Sequence, residues 1–381
     1  MSKWSLIAVV LLSAGAAWGQ LPAPPPTFSV DNASPACGMV PCNGADILAP
    51  VPPAPGLAPP PLLAPGIVIP GGVGGLGLVG LGGPPEIDAL SYGTDPQPME
   101  SDVWYFSVDR AAVGIVGLML PSVTTEGARV GAPPGGGAKE ASADVFESKV
   151  SGPLRPPVAP PVPFGNNIGF YDGNGAISAS GAVYPGLGLN VEPNPGGDDL
   201  DAFDLDTLPG PNTPVYFSLD PNTAAANGFA AGDVLVVPAG GSKQRYASAN
   251  GLGLDLAGIG ADDLDAMVLA EDGDGVFNPG VDQLLFSVKA GSQVIGQPDS
   301  MWGVGIEEGD ILMDPAWSQR YGGVGGLTPG ILIPAEYLGL ETVRSYNAAD
   351  DLDALDVPEP ASVALLGLGA VLIGRRRKRR A

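Results

Sequence analysis

The sequence predicts an all-β fold built from four internal repeats of about four short strands, most simply a four-bladed β-propeller. Three observations predict it. Short apolar segments recur between Gly, Pro, Asn and Asp turns, and no helical periodicity of useful length competes with them. Four segments return four times in an unchanged order. The chain has 381 residues, of which Gly (58) and Pro (43) make up just over a quarter, so much of the length belongs to loops.

The first segment reads Phe28-Ser29-Val30-Asp31 and returns as Phe106-Ser107-Val108-Asp109, Phe217-Ser218-Leu219-Asp220 and Phe286-Ser287-Val288-Lys289. The second is Ala45-Asp46-Ile47-Leu48, then Ala143-Asp144-Val145-Phe146, Gly232-Asp233-Val234-Leu235 and Gly309-Asp310-Ile311-Leu312. The third is Leu76-Gly77-Leu78, Leu187-Gly188-Leu189, Leu252-Gly253-Leu254 and Leu338-Gly339-Leu340. The fourth is Ile87-Asp88-Ala89-Leu90, Leu200-Asp201-Ala202-Phe203, Leu264-Asp265-Ala266-Met267 and Leu352-Asp353-Ala354-Leu355. Third and fourth segments lie 11, 13, 12 and 14 residues apart, and chance similarity in a Gly-rich chain does not keep order and spacing together.

Each segment has the length of a short strand, so the units span about 28–90, 104–203, 215–267 and 284–356. Four strands in each of four units is the arithmetic of a four-bladed propeller, with the last strand closing the ring beside the first. A pair of β-sandwich domains, two repeats in each, is the alternative. The Pro- and Gly-rich stretch from Pro50 to Pro85 is expected to be a long loop ending in the third strand of unit one, and the run Pro153–Pro163 a second long loop.

Composition excludes several kinds of chemistry. There is no histidine, which removes Ser-His-Asp and Cys-His catalysis, HExxH metalloproteases and His-ligated zinc. Setting aside Lys3, Glu359 and the six basic residues of the terminus leaves 10 basic and 40 acidic residues between Gln20 and Val357, a net charge of −30. Such a surface repels phosphate, so no nucleic-acid partner is expected. No nucleophile-and-base pattern or phosphate loop is present, and the chain reads as a non-enzyme. Cys37 and Cys42, five residues apart, are expected to form a disulfide loop rather than a redox pair.

The candidate binding residues are aspartates. Asp88, Asp201, Asp265 and Asp353 hold one place in all four repeats. Around an axis they would form a ring of carboxylates that needs a cation. The alternative is that they cap or solvate strand ends. A second candidate is the loop Asp272-Gly273-Asp274 to Asp282, whose alternating carboxylates suit a hard cation. It resembles EF-hand and dockerin calcium loops only in its opening, because Val276 and Phe277 stand where an oxygen ligand and a turn glycine belong, and a tight Asp-Gly hairpin is the competing reading. No cofactor is required on either reading, and Ca²⁺ is the candidate ligand.

The two ends concern delivery. Residues 1–19 carry Lys3, an apolar run from Leu6 to Leu12 and a small-residue end at Ala17-Trp18-Gly19, which resembles a secretory signal peptide. At the other end Pro358-Glu359-Pro360 precedes an apolar stretch, 361–374, and then Arg375 to Arg380. A helix over that stretch would reach only about 21 Å, short of a ~30 Å hydrocarbon core. The basic cluster holds its end on the cytoplasmic side.

These three parts, over residues 357–381, resemble the PEP-CTERM sorting tail. The resemblance implies export in a Gram-negative-type bacterium and recognition by an exosortase, with Pro358, Glu359 and Pro360 as the sorting motif. Signal peptidase and exosortase are then the expected partners during export, and the membrane is met only through the tail, in a membrane-associated precursor bound for the cell surface or the extracellular space. The body is expected to be a structural or adhesive component of the surface or matrix. The runner-up is a domain that binds or cleaves extracellular polysaccharide, for which Trp302, Trp317 and Tyr321 are the candidate aromatic group.

Overall fold

A computed structural model of the chain describes residues 26–39, 42–51, 64–72, 75–80, 84–92, 104–110, 112–114, 123, 140–148, 167–175, 185–189, 198–205, 213–238, 241–345 and 348–357. The strands run in chain order as β1 (Thr27–Ser29), β2 (Ile47–Ala49), β3 (Gly66–Ile69), β4 (Leu78–Gly80), β5 (Ala89–Ser91), β6 (Trp104–Ser107), β7 (Ala112–Gly114), β8 (Val145–Ser148) and β9 (Asn167–Tyr171). They continue as β10 (Ala202–Asp204), β11 (Val215–Ser218), β12 (Val234–Val237), β13 (Gln244–Ala247), β14 (Leu264–Ala270), β15 (Gln283–Val288), β16 (Ile311–Met313), β17 (Gly330–Ile333) and β18 (Ala354–Asp356).

Four antiparallel four-stranded sheets form the blades, in the orders β18-β1-β2-β3, β5-β6-β8-β9, β10-β11-β12-β13 and β14-β15-β16-β17. The innermost strands pack side by side in the ring order β18, β5, β10, β14 and back to β18. The chain is therefore a four-bladed β-propeller rather than two sandwiches. Its ring closes where β18, near the C-terminus, pairs with β1 through Thr27↔Asp356, Phe28↔Leu355 and Ser29↔Ala354. Each blade thus takes its inner strand from the end of one sequence repeat and its other three strands from the next.

The third repeated segment is not the third strand of each unit. Its glycines, Gly77, Gly188, Gly253 and Gly339, all have positive φ, between 71° and 85°. Each sits in a tight turn that no extended strand can contain. The buried leucines on either side plug the turn into the core. Only in the first unit does a strand, β4, begin at this point, and it pairs with β7 outside the blades. The outermost blade strands are β3, β9, β13 and β17; β3 and β17 share the run Pro-Gly-Ile-x-Ile-Pro (65–70 and 329–334), which β9 and β13 lack. Pro153–Pro163 lies outside the described residues.

The first segment shows why its two leading residues recur. On a strand, neighbouring side chains point to opposite faces. Phe28, Phe106, Phe217 and Phe286 are fully buried, each in the core between its own blade and the one before it. The serines turn to the blade that follows. Ser29 Oγ donates to Ile87 O at 3.0 Å, Ser218 Oγ to Leu264 O at 3.0 Å and Ser287 Oγ to Leu352 O at 2.9 Å. Ser107 Oγ is buried and has no partner among the described residues.

This difference predicts unequal costs. Ser218→Ala should lower stability by about 1–2 kcal/mol, since it strips a donor from a buried carbonyl, whereas Ser107→Ala should change it by under about 0.5 kcal/mol. Urea unfolding of the two variants measures both, and equal losses would contradict the role given to these serines.

Candidate functional site

The repeated Asp-x-Asp spacing places two carboxylates on one face of an extended segment. Asp88, Asp201 and Asp353 come just before the inner strands β5, β10 and β18, and Asp265 is the second residue of β14, so the propeller gathers them at one end of its axis. Two residues earlier stand Glu86, Asp199, Asp263 and Asp351. A third position comes from the adjoining strand. Asp31, Asp109, Asp220 and Lys289 donate their backbone N–H to the carbonyls of Asp351, Glu86, Asp199 and Asp263 at 3.2, 3.4, 3.3 and 3.1 Å. The axial end therefore has four quadrants of three equivalent positions, and eleven of the twelve are acidic.

The twelfth is Lys289. Its Nζ lies 3.0 Å from Asp265 Oδ1 and 3.9 Å from Asp201 Oδ1. Asp265 in turn holds the ammonium strongly in its charged form, with Asp201, Asp353 and Asp88 adding to the effect. A neighbouring quadrant receives Arg110, whose guanidinium bridges Asp199 at 3.1 Å and Asp220 at 2.9 Å. Asp88, Asp201, Asp265 and Asp353 thus lie around one end of the axis, and the chain places two cations of its own, Lys289 and Arg110, against these and neighbouring carboxylates. The sequence signal for this was the single Lys among the residues that close the Phe-Ser segment.

Burial raises the proton affinity of the carboxyls. Desolvation pushes Asp201 up to about 7, with Lys289 opposing and Asp265 assisting. It pushes Asp263 up to about 10, assisted by Asp201 and Asp265. Asp88, Asp199 and Asp353 are raised well above the ordinary carboxylate range, again chiefly by desolvation.

These shifts set a pH dependence. In the folded chain Asp201 and Asp263 keep protons that the unfolded chain releases near pH 4. Their contribution is full below about pH 4 and is lost as pH rises, up to about 7 for Asp201 and about 10 for Asp263. Each tenfold difference in proton affinity between the two states is worth about 1.4 kcal/mol. In EDTA the melting temperature should fall from pH 5 to pH 8, and Asp201→Asn should flatten that fall. A melting temperature that rises over this interval would contradict the assignment.

Other repeated aspartates are committed to the scaffold. Asp46, Asp144, Asp233 and Asp310 each accept a backbone N–H from the outer turn, from Gly71, Gly173, Ala249 and Ala335, at 2.7, 2.8, 2.9 and 2.9 Å. Asp262 and Asp350 each accept two N–H groups, Asp262 from Asp255 and Val294 and Asp350 from Ala36 and Glu341. Asp310 and Glu336 also hold the Arg344 guanidinium.

The loop candidate is a hairpin joining β14 to β15. Asp282 is fully buried and accepts from Asn278 N at 2.6 Å, Tyr246 Oη at 3.1 Å and Asp272 N at 3.2 Å. Asp274 is exposed and is held by Asn278 Nδ2 at 2.9 Å. The structure brings Glu271 beside Asp272 and Asp282, with carboxylate oxygens within 4.8 Å of one another, and leaves Asp274 at the exposed edge of this group, next to Asp272 and Glu271. Glu271 already accepts from Gly273 N and Gly275 N.

Of the aromatic group, Trp317 is buried in the core, donates its indole N–H to Asp282 O at 2.5 Å and stacks on Tyr321 with ring centroids 5.2 Å apart. Trp302 is 40% exposed and donates to Ile331 O at 3.0 Å. Cys37 and Cys42 are joined by a disulfide, their Cα atoms 4.8 Å apart.

A family model described as the PEP-CTERM protein-sorting motif matches residues 356–380. The match begins inside β18, at Asp356, and covers the tail that follows the ring-closing strand. The chain is an exported, exosortase-sorted β-propeller. No curated protein and no solved structure matches it. The sorting residues Pro358, Glu359 and Pro360 and the stretch 361–374 lie outside the described residues, as do residues 1–19. No helix among the described residues is long and apolar enough to cross a membrane.

Proposed function

We propose that this exported propeller is a structural or adhesive component of the cell surface or extracellular matrix and has no catalytic activity. One observation carries the reading: the carboxylates, which are the chain's only abundant acid-base groups, are arranged as scaffold. Asp46, Asp144, Asp233 and Asp310 fasten the outer turns of all four blades. On the axis, Asp199 and Asp220 pair with Arg110, and Asp201 and Asp265 with Lys289. General acid-base cleavage of a glycoside needs two carboxyls opposed across a substrate-sized gap. A carboxyl whose oxygens already accept backbone N–H groups cannot turn to a substrate without breaking the turn it holds.

The polysaccharide reading has weaker support, since Trp317 is in the core and Trp302 alone of the three aromatics offers a broad exposed face. The test is to incubate the exported protein with extracellular polysaccharide of its native host. Retention of protein on the matrix without release of new reducing ends supports the proposal, as does a loss of matrix cohesion in a strain lacking the protein. Release of reducing sugar at a rate above that of a heat-treated control would overturn it.

A further inference from the structure

We propose that the quadrant formed by Asp31, Asp351 and Asp353 is a binding site for one hard divalent cation, with calcium as the ion it suits best. Carboxylate oxygens of these three residues lie within 4.8 Å of one another. Calcium sits about 2.3–2.6 Å from its oxygen ligands, so two oxygens on one ion stand up to about 5 Å apart. Asp351 is buried, and while its Oδ2 accepts from Ala290 N at 3.0 Å, its Oδ1 has no partner among the described residues. A buried carboxylate oxygen left without a partner is costly unless a ligand meets it.

The fourfold repeat supplies the independent argument. At the corresponding place in one other quadrant, Arg110 bridges Asp199 and Asp220. In another, Lys289 replaces the aspartate altogether and binds Asp265. The propeller thus puts a cation of its own into two of four equivalent acidic positions. In the quadrant of Asp31, three carboxylates converge and Lys289 stands closer to Asp265 than to them. With no histidine or cysteine in the group, the donor set is oxygen only, which selects a hard cation over zinc or copper. Asp31 Oδ1 and Asp351 Oδ2 each accept a backbone N–H, but the cluster at Glu271 has, unlike Asp351, no buried oxygen without a partner among the described residues and so carries no such argument.

The experiment uses the full chain, stripped with EDTA and titrated with CaCl₂, followed by thermal unfolding and calorimetry. One class of site with a Kd of about 0.1–1 mM, the range of extracellular calcium modules, and a melting temperature that climbs with calcium are expected. Asp351→Asn and Asp353→Asn should each weaken the calcium response at least tenfold, yet melt in EDTA at or above the wild-type temperature, because a neutral amide avoids the desolvation that burial imposes on a carboxylate. Asp272→Asn should keep the full response. Should Asp353→Asn fail to fold, Asp31→Asn at the half-exposed edge carries the same test. No response at about 10 mM calcium, a response retained by the Asp351→Asn/Asp353→Asn pair, or a response lost in Asp272→Asn would each overturn the proposal.

Discussion

A chain ending at Leu352 should fail to fold, whereas one ending at Val357 should melt as a single cooperative unit. The five residues between these ends include β18, the inner strand of the first blade. Ala354, Leu355 and Val357 are fully buried, with Ala354 in one inter-blade core and Leu355 and Val357 in another. Large-to-small changes at buried apolar positions cost about 2–5 kcal/mol each, so losing this strand consumes most or all of the 5–15 kcal/mol typical of a folded domain. It also bares the edge of β1, which would then template aggregation. Circular dichroism and urea unfolding of the two chains test this, and a shorter chain that melts within a few degrees of the longer one would refute the closure. The sorting signal adds a constraint, since the motif match begins at Asp356, inside the closing strand. Processing that leaves the propeller intact must therefore cut on the C-terminal side of Val357.

What the sequence reveals and what it hides follow from the geometry. The Phe-Ser and Asp-x-Asp segments are legible because they lie near the axis, where neighbours on both faces are other blades and each position admits one kind of side chain. The outer strands β3, β9, β13 and β17 have a partly solvated face, as the two exposed residues that open β13 show. The sequences of β9 and β13 drift apart from the rest, so that only β3 and β17, with Pro-Gly-Ile-x-Ile-Pro in both, could be aligned and the fourfold pattern is lost. The Leu-Gly-Leu segments mislead for the opposite reason. Their apolar alternation imitates a strand, and a glycine's positive φ leaves no trace in a hydrophobic pattern. At the site, the ring of Asp88, Asp201, Asp265 and Asp353 is visible from repeat position alone. Asp31 and Asp351 join it only when strand pairing is known, because they come from opposite ends of the chain.

Replacing Lys289 is the sharpest probe of the axis, because this one side chain stands against the carboxylates of Asp265 and Asp201 while four positions of the ring are acidic. Its side chain is 42% exposed, so solvent screens the interaction and the loss lies between the values for surface and buried pairs. Lys289→Met should cost about 2 kcal/mol at low salt. Lys289→Asp, which restores the residue found in the other three repeats, should cost more, because it adds a twelfth acid to eleven. Lys289→Arg should retain most of the wild-type stability. The losses should shrink in about 1 M NaCl, where the Debye length falls to about 3 Å and the remaining carboxylates repel one another less. If the divalent site exists, both Lys289→Met and Lys289→Asp should bind calcium more tightly than the wild type, since a competing positive charge has left the axis. Thermal melts over a salt series separate this electrostatic account from simple loss of packing, which would leave the deficit of Lys289→Met unchanged by salt.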